Sequence, residues 1–148
     1  MTNEAIEAVR ARAQTNTFWA FMGVVVEDAH EGWCRFRVPV RDEMRNAPGA
    51  PVHGGVYSAL VDMAVGGALS TMHEQAAGGV GQTTLDMNVS FIASVSEGDI
   101  VAEGQILRRG RQIAFGEARI TDGAGKLLAA GRATYMILPA RTEGGRQA

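Results

Sequence analysis

Residues 54–72 form an apolar stretch that constrains the fold more than any other part of the chain. Its nineteen residues, GGVYSALVDMAVGGALSTM, contain a single charged side chain, that of Asp62. A helix packed on one side only carries a charged stripe opposite its apolar stripe, and this stretch has none. On a helical projection, one side carries Tyr57, Leu60, Val61, Ala64, Ala68 and Met72, and the other Gly55, Ala59, Met63, Gly66 and Gly67. We therefore predict an enclosed helix, wrapped by a sheet, with a second chain as an option for covering the remainder.

A membrane-spanning role for this stretch is the first alternative, because nineteen residues are long enough to cross a bilayer. Asp62 lies near its middle, where a carboxylate costs about 2.5–3.5 kcal/mol on insertion scales. Four glycines, two serines and a threonine make the stretch less apolar still. We reject the membrane interpretation and predict a globular domain.

Charge and cysteine content exclude further classes of protein. The 148 residues carry 14 Lys+Arg against 16 Asp+Glu, a net charge of −2. That balance lacks the basic excess that nucleic-acid binding or an anionic membrane surface requires. Cys34 is the single cysteine, so no internal disulfide indicates an oxidising compartment. The acidic N-terminal residues do not resemble a secretion signal, and we expect a cytoplasmic protein.

The rest of the chain predicts one α+β domain over residues 1–138, followed by a flexible tail at 139–148. Residues 1–15 suit an amphipathic helix, and the long helix is expected to end near 74–79. Six segments have the pattern typical of strands: 22–27, 33–40, 85–91, 100–107, 113–120 and 127–138. Short polar turns separate most of them, at 28–32 and 108–111 for example, which favours an antiparallel sheet over a parallel one.

Asp62 and the segment His53-Gly54-Gly55 are the candidates for chemistry. A buried carboxylate is costly unless it is paired or used, and Asp62 could simply anchor a neighbouring backbone N–H or an arginine. The first N–H groups of a helix lack internal partners, and glycine there lets a ligand oxygen approach, as an oxyanion hole requires. Asp62 follows Gly54 by eight residues, about 12 Å along a helix. If both are catalytic, they must come from two subunits.

Several motifs together resemble a known family. They are Asn46, HGGVYSALVDMA at 53–64, TTLDMNVSFIASVSEGD at 83–99, RRGRQIAF at 108–115 and KLLAAGRAT at 126–134. They resemble the hotdog-fold acyl-CoA thioesterases, and most closely the phenylacetate-pathway and 4-hydroxybenzoyl-CoA type. The resemblance implies a hotdog fold, in which about six antiparallel strands wrap one long central helix. It also implies a homodimer with shared active sites and a dimer of dimers.

The resemblance implies roles for five residues. The Gly54 amide polarises the thioester carbonyl, and Asp62 acts as general base or nucleophile. Asn46 helps to hold the carbonyl or the attacking water, and Thr84 helps to hold the water. His53 is a further candidate base, although capping of the helix is its simpler role. The gap between Asn46 and His53 is a residue longer than in close relatives, which puts the role of Asn46 in question.

The resemblance also implies where the coenzyme A portion of the substrate binds. Phe91 and the basic segment Arg108, Arg109, Gly110 and Arg111 are expected near its nucleotide and pantetheine arm. Arginine suits phosphate because of its forked donors, although a solvated hairpin is the simpler interpretation of this segment. Gly55 and Tyr57 are further candidate substrate contacts. We expect no metal and no cofactor other than the coenzyme A carried by the substrate.

Two other functions stay open on the sequence alone. One is a hotdog hydratase or dehydratase of 3-hydroxyacyl thioesters, which pairs the helix carboxylate with a catalytic histidine. The other is an acyl-CoA binding module that leaves its ligand unchanged. Hydrolysis of an aryl-, arylacetyl- or medium-chain acyl-CoA is the function that we prefer.

Overall fold

A computed structural model of the chain describes residues 3–73 and 81–139. Two short helices begin the chain, α1 (Glu4–Thr15) and α2 (Thr17–Met22). A hairpin of β1 (Val25–His30) and β2 (Trp33–Pro39) follows. An irregular connection with a 3-10 turn at Asp42–Met44 leads to the long helix α3 (Gly54–Ser70). Four strands complete the fold: β3 (Gly81–Phe91), β4 (Asp99–Arg109), β5 (Ile113–Asp122) and β6 (Leu127–Leu138).

The six strands form one antiparallel sheet in the order β1-β2-β4-β5-β6-β3. Consecutive hairpins place β4, β5 and β6 side by side, whereas β3 pairs along β6 and becomes an edge strand. Helix α3 packs against strands across this sheet. The six antiparallel strands around one long helix confirm the predicted α+β hotdog architecture.

Helix α3 is enclosed as predicted. Its side with the small residues, for which a second chain was one option, is covered by residues of the same chain. Between Leu60 and Leu69 every residue except Asp62 is buried. At Gly67, an added Cβ would lie 2.9 Å from Cys34 Sγ and 3.1 Å from the Trp19 ring. Helix α2, which carries Trp19, therefore lies directly on this side of the helix. The same chain provides this cover, and a second chain is not needed for it.

Several predicted boundaries are wrong, each for a local reason. The predicted strand at 22–27 begins too early because Asn16 caps a short helix, accepting hydrogen bonds from the N–H groups of Phe18 and Trp19. The predicted turn at 28–32 is shorter, since β1 continues to His30. Strand β4 extends to Arg109, so Arg108 and Arg109 belong to a strand rather than to the turn at 108–111.

Other boundaries are only partly within the described residues. Helix α3 ends at Ser70, and residues 74–79, where its end was predicted, lie outside the described part. The predicted tail is likewise not covered beyond Pro139. Among the described helices, none is both long and apolar enough to cross a membrane.

Candidate active site

The start of α3 presents one unused backbone donor. His53 caps the helix, and its Nδ1 accepts a hydrogen bond from Gly55 N–H at 2.8 Å. The Val56 N–H donates to the His53 carbonyl at 3.0 Å. This leaves the Gly54 N–H without an acceptor in residues 3–73 and 81–139. At this helix terminus, where the positive end of the dipole lies, Gly54 N–H can therefore receive an incoming carbonyl oxygen.

Phe91 lies directly over this helix start. A Cβ built on Gly54 would approach the Phe91 ring to 3.3 Å, so the glycine is what permits this contact. The Phe91 side chain is nevertheless 57% exposed, because β3 is an edge strand. The structure thus brings Phe91 and Gly54 together at one surface of the subunit.

Asp62 lies eight residues further along α3, and its carboxylate is held by two hydroxyl groups. Thr84 Oγ1 and the Tyr135 hydroxyl each donate to Asp62 Oδ1 at 2.6 Å. The Tyr135 hydroxyl also lies 2.7 Å from the Asp62 main-chain oxygen. Within the described residues, no donor reaches Oδ2. One carboxylate oxygen is therefore fixed and the other is free, which is the arrangement that a general base or nucleophile needs.

Tyr135 is the site residue that the sequence did not indicate. It lies on β6 directly opposite Thr84 of β3, so the two hydroxyls come from neighbouring strands. Burial raises the pKa of Tyr135, and the nearby charge of Asp62 raises it further. The phenol therefore stays protonated and acts as a donor at neutral pH. The signal that could have identified it is a tyrosine among the apolar residues of a strand, because the hydroxyl of a buried tyrosine usually finds a hydrogen-bond partner.

A pocket of about 240 Å³ opens beside the Asp62 carboxylate. Its lining is largely polar, and comprises Arg12, Asn16, Gln82, Thr83, Thr84 and Tyr135 besides Asp62. Trp19 and Met63 supply apolar walls. Helix α1 thus contributes Arg12 to a pocket that is open to the surface. Burial lowers the pKa of Arg12, whereas the charges of Tyr135 and Asp62 act in the opposite direction.

Asn46 and Tyr57 are two further candidates, and neither lies beside the Asp62 pocket. Asn46 is exposed on the connection before α3, where its backbone N–H donates to the Pro51 carbonyl at 3.0 Å. Tyr57 is only 2% exposed, and its hydroxyl accepts a hydrogen bond from Val95 N–H. This burial supports a packing role for Tyr57, and its substrate contact remains a prediction.

The basic segment lies at the opposite end of the subunit from Gly54. Arg108 and Arg109 end β4, and the Gly110 N–H donates to the Ile113 carbonyl in the turn that also contains Arg111. This hairpin end lies near the end of α3: the Ile106 N–H of β4 donates to the Gly32 carbonyl, and the Gly32 N–H donates to Thr71 Oγ1 just after the helix. Helix α3 is 17 residues, or about 25 Å, long. Within one subunit, the arginines therefore lie about the length of α3 away from Gly54.

His73 is held beside the same pocket. Its Nε2 lies 2.8 Å from Gln82 Oε1, and Gln82 Nε2 donates to the Gly66 carbonyl. Burial lowers the pKa of His73, the hydrogen bond to Gln82 raises it, and Arg109 and Arg12 lower it again. In the part of the chain that the structure covers, no three metal-ligating side chains gather.

Comparisons with known proteins define the class to which this fold and site belong. Residues 51–129 match the model of the thioesterase superfamily, a span that includes the start of α3, Asp62 and strands β3 to β5. Since this match covers more than half of the chain, the protein belongs to the thioesterase superfamily and is a thioesterase.

Individual relatives agree with this membership. Human acyl-coenzyme A thioesterase 13 is 33% identical over 141 residues, covering 90% of this chain and 94% of that protein. A conserved protein of Pseudomonas aeruginosa has a similar structure, with a TM-score of 0.77 and 28% identity over 86% of this chain and 99% of its own. The PaaI protein from the phenylacetic acid degradation operon of Escherichia coli shares the fold. Its TM-score is 0.81 at 18% identity, covering 93% of this chain and 95% of that one.

Proposed function

We propose that this thioesterase hydrolyses acyl-CoA to the free acid and coenzyme A, with Asp62 as the group that drives attack on the thioester. The observation that carries the proposal is the Asp62 carboxylate, with Oδ1 fixed by Thr84 and Tyr135 and Oδ2 free beside a pocket. The similarity to acyl-coenzyme A thioesterase 13 supports coenzyme A as the thiol.

The proposed reaction uses water and no cofactor beyond the coenzyme A of the substrate. As general base, Asp62 Oδ2 takes a proton from water while the water oxygen bonds to the thioester carbon. The negative charge that develops on the carbonyl oxygen is stabilised by the Gly54 N–H. The tetrahedral intermediate then collapses, the C–S bond breaks, and the proton passes to the thiolate. In the nucleophilic variant, Oδ2 itself attacks the thioester carbon, the C–S bond breaks and the coenzyme A thiolate leaves and takes up a proton, and water then hydrolyses the resulting anhydride to the free acid and the Asp62 carboxylate.

Gly54 and Asp62 must act from two subunits in this proposal. They are eight residues apart on one helix, or about 12 Å, which is too far for one thioester carbonyl. The free edge of β3 carries the exposed apolar side chains Leu85, Met87 and Phe91, and supports pairing with the same strand of a second copy. Pairing of two such dimers into a tetramer belongs to the same proposal.

The basic hairpin end then has a role in the dimer. Arg108, Arg109, Gly110 and Arg111 lie beyond Asp62, on the side of the subunit away from its own Gly54, and an antiparallel partner would bring its Gly54 towards that Asp62. We assign them to the phosphate groups of coenzyme A, for which guanidinium groups are well suited. Phe91 and Gly55 would lie at the thioester end of the same ligand, and Asn46 beside it.

Thiol release from a panel of acyl-CoAs tests the proposal. The wild type is compared with Asp62→Asn, and Glu31→Gln serves as the control because Glu31 is an exposed acid in the turn between β1 and β2. We expect Asp62→Asn to lower kcat by about a thousandfold or more, while folding and coenzyme A affinity persist. An Asp62→Asn enzyme that turns over like the control refutes the role of Asp62. Absence of thiol release from every thioester refutes the hydrolytic function.

The hydratase alternative depends on a histidine base, for which His53 is the candidate. Its Nδ1 is already engaged by the Gly55 N–H as a helix cap, and no observation favours this alternative. Formation of a 3-hydroxyacyl product from an enoyl-CoA, without thiol release, would support it.

A further inference from the structure

The lining of the pocket beside Asp62 is largely polar, whereas a site for a plain hydrocarbon chain would be apolar. This polarity bears on which acyl group the enzyme accepts. Assignment of this pocket to the acyl portion of the thioester rests on the proposed function. A thioester carbon within reach of Asp62 Oδ2 directs its acyl group into the adjoining cavity of the same subunit. The volume of about 240 Å³ suits a short chain or a single ring.

Most polar groups in this lining are already used by the protein itself. Gln82 is engaged at both ends, by His73 and by the Gly66 carbonyl. Thr84 and Tyr135 are committed to Asp62. Asn16 Oδ1 accepts from the N–H groups at the start of α2. Apart from the Asn16 side-chain amide, these groups have little left to offer a ligand.

Among the charged and polar side chains that line the pocket in the described residues, Arg12 is the prominent one whose donors are not used by the protein itself. It forms no ion pair and no side-chain hydrogen bond with any residue in the described ranges, although it lines the same pocket as Asp62. The positive Arg12 and the negative Asp62 therefore line the same pocket without forming an ion pair with each other. The Asn16 side-chain amide, one helical turn away, is a second free donor. Both are donors, so this part of the pocket lining favours a ligand oxygen that accepts hydrogen bonds.

We propose that Arg12 determines acyl specificity, and that the preferred substrates are short acyl-CoAs whose far end carries an oxygen acceptor, either a hydroxyl or a carboxylate. An acyl group of this kind fills the gap between Arg12 and Asp62 and satisfies a donor that a hydrocarbon chain leaves desolvated. The guanidinium is partly buried in the pocket lining, so a hydrocarbon chain that displaces its water leaves its donors unsatisfied, which is costly.

Matched acyl-CoAs test this assignment. At chain lengths of four, six and eight carbons, kcat/KM is measured for the plain alkanoyl-CoA, the terminal hydroxyacyl-CoA and the terminal carboxyacyl-CoA. We expect the wild type to prefer an oxygen-bearing member over its alkanoyl counterpart by about tenfold or more at one length. A preference for the carboxylate indicates an ion pair, and a preference for the hydroxyl indicates a neutral hydrogen bond.

Variants on one helix supply the control. Arg12→Met should abolish the preference by lowering kcat/KM of the oxygen-bearing substrates only, and Arg12→Lys should retain part of a carboxylate preference. Arg10→Met should change nothing, because Arg10 pairs with Glu7 on the exposed side of α1. If circular dichroism shows that Arg12→Met is not folded, Arg12→Gln and the comparison of substrates with the wild type take its place.

Three results overturn the assignment, and they separate it from the proposed function. Equal or faster hydrolysis of the alkanoyl-CoAs by the wild type refutes the role of Arg12 while leaving the thioesterase function intact. So does an Arg12 variant that lowers activity on all substrates equally. Failure to hydrolyse any thioester refutes the proposed function and this inference with it.

Discussion

At the residue scale, the Asp62 carboxylate is oriented by neighbours that come from two different strands. Thr84 on β3 and Tyr135 on β6 both donate to Oδ1, which orients the free Oδ2. A charge-assisted hydrogen bond of this kind is worth about 1.5–3 kcal/mol. Tyr135 is therefore expected to act on the reaction through Asp62, as a positioning residue, although it also lines the pocket.

Removal of the Tyr135 hydroxyl tests this role. Tyr135→Phe keeps the ring and loses one donor to Oδ1, so we expect kcat to fall by about 10–100-fold with KM little changed. Steady-state kinetics with the best thioester of the panel, together with a thermal melt, give the measurement. A Tyr135→Phe enzyme with wild-type kcat, or one whose loss lies in KM, contradicts the positioning role.

At the element scale, the close contact of helix α2 with α3 depends on glycine. The Cβ position of Gly67 lies 2.9 Å from Cys34 Sγ and 3.1 Å from the Trp19 ring, and both side chains are buried. We expect Gly67→Ala to destabilise the fold by about 1–3 kcal/mol through overpacking. Urea unfolding measures this change in the free energy of unfolding.

Gly123→Ala is the matched control for that substitution. Gly123 lies in the β5–β6 turn, and an added Cβ there meets nothing within 4 Å. Its free energy of unfolding should stay within about 0.5 kcal/mol of the wild type. Equal stability of both variants would show that α1 and α2 move away easily and do not form a tight cover.

These elements also show what the sequence could and could not predict. The six strands and their antiparallel arrangement followed from alternating patterns and short turns, which are local signals, whereas the order of the strands was not predicted. Helix α2 was missed because it is short and begins with an Asn16 cap inside an apolar segment that also suits a strand. Tyr135 was missed because its partner Asp62 is 73 residues away, and the packing of α3 against β6 is what brings them together. Gly54 and Asp62 were identified as candidates because one is a glycine at a helix start and the other is the single charge of an apolar helix, and their catalytic roles stay predictions.

At the scale of the whole molecule, the two candidate catalytic groups of one subunit, Gly54 and Asp62, lie apart. The free Gly54 N–H lies at the start of α3, and the free Asp62 oxygen lies in a pocket about 12 Å along the same helix. The edge strand β3 passes both positions, since Thr84 reaches Asp62 and Phe91 covers Gly54. A second copy that pairs antiparallel along β3 therefore brings its own Gly54 towards the first copy's Asp62.

Complementation between two inactive variants decides whether the sites are shared. Asp62→Asn removes the base, and Gly54→Pro removes the N–H at the first helical position, where the helix itself tolerates proline and the exposed Phe91 ring has to move aside. In a mixed dimer, a shared site combines the intact Gly54 of one chain with the intact Asp62 of the other. Unfolding the two variants together and refolding them should restore about a quarter of wild-type kcat, because half of the dimers are mixed and each contains one intact site. If each site lay within one subunit, no mixed dimer would contain an intact site, and the refolded mixture would stay as inactive as its components.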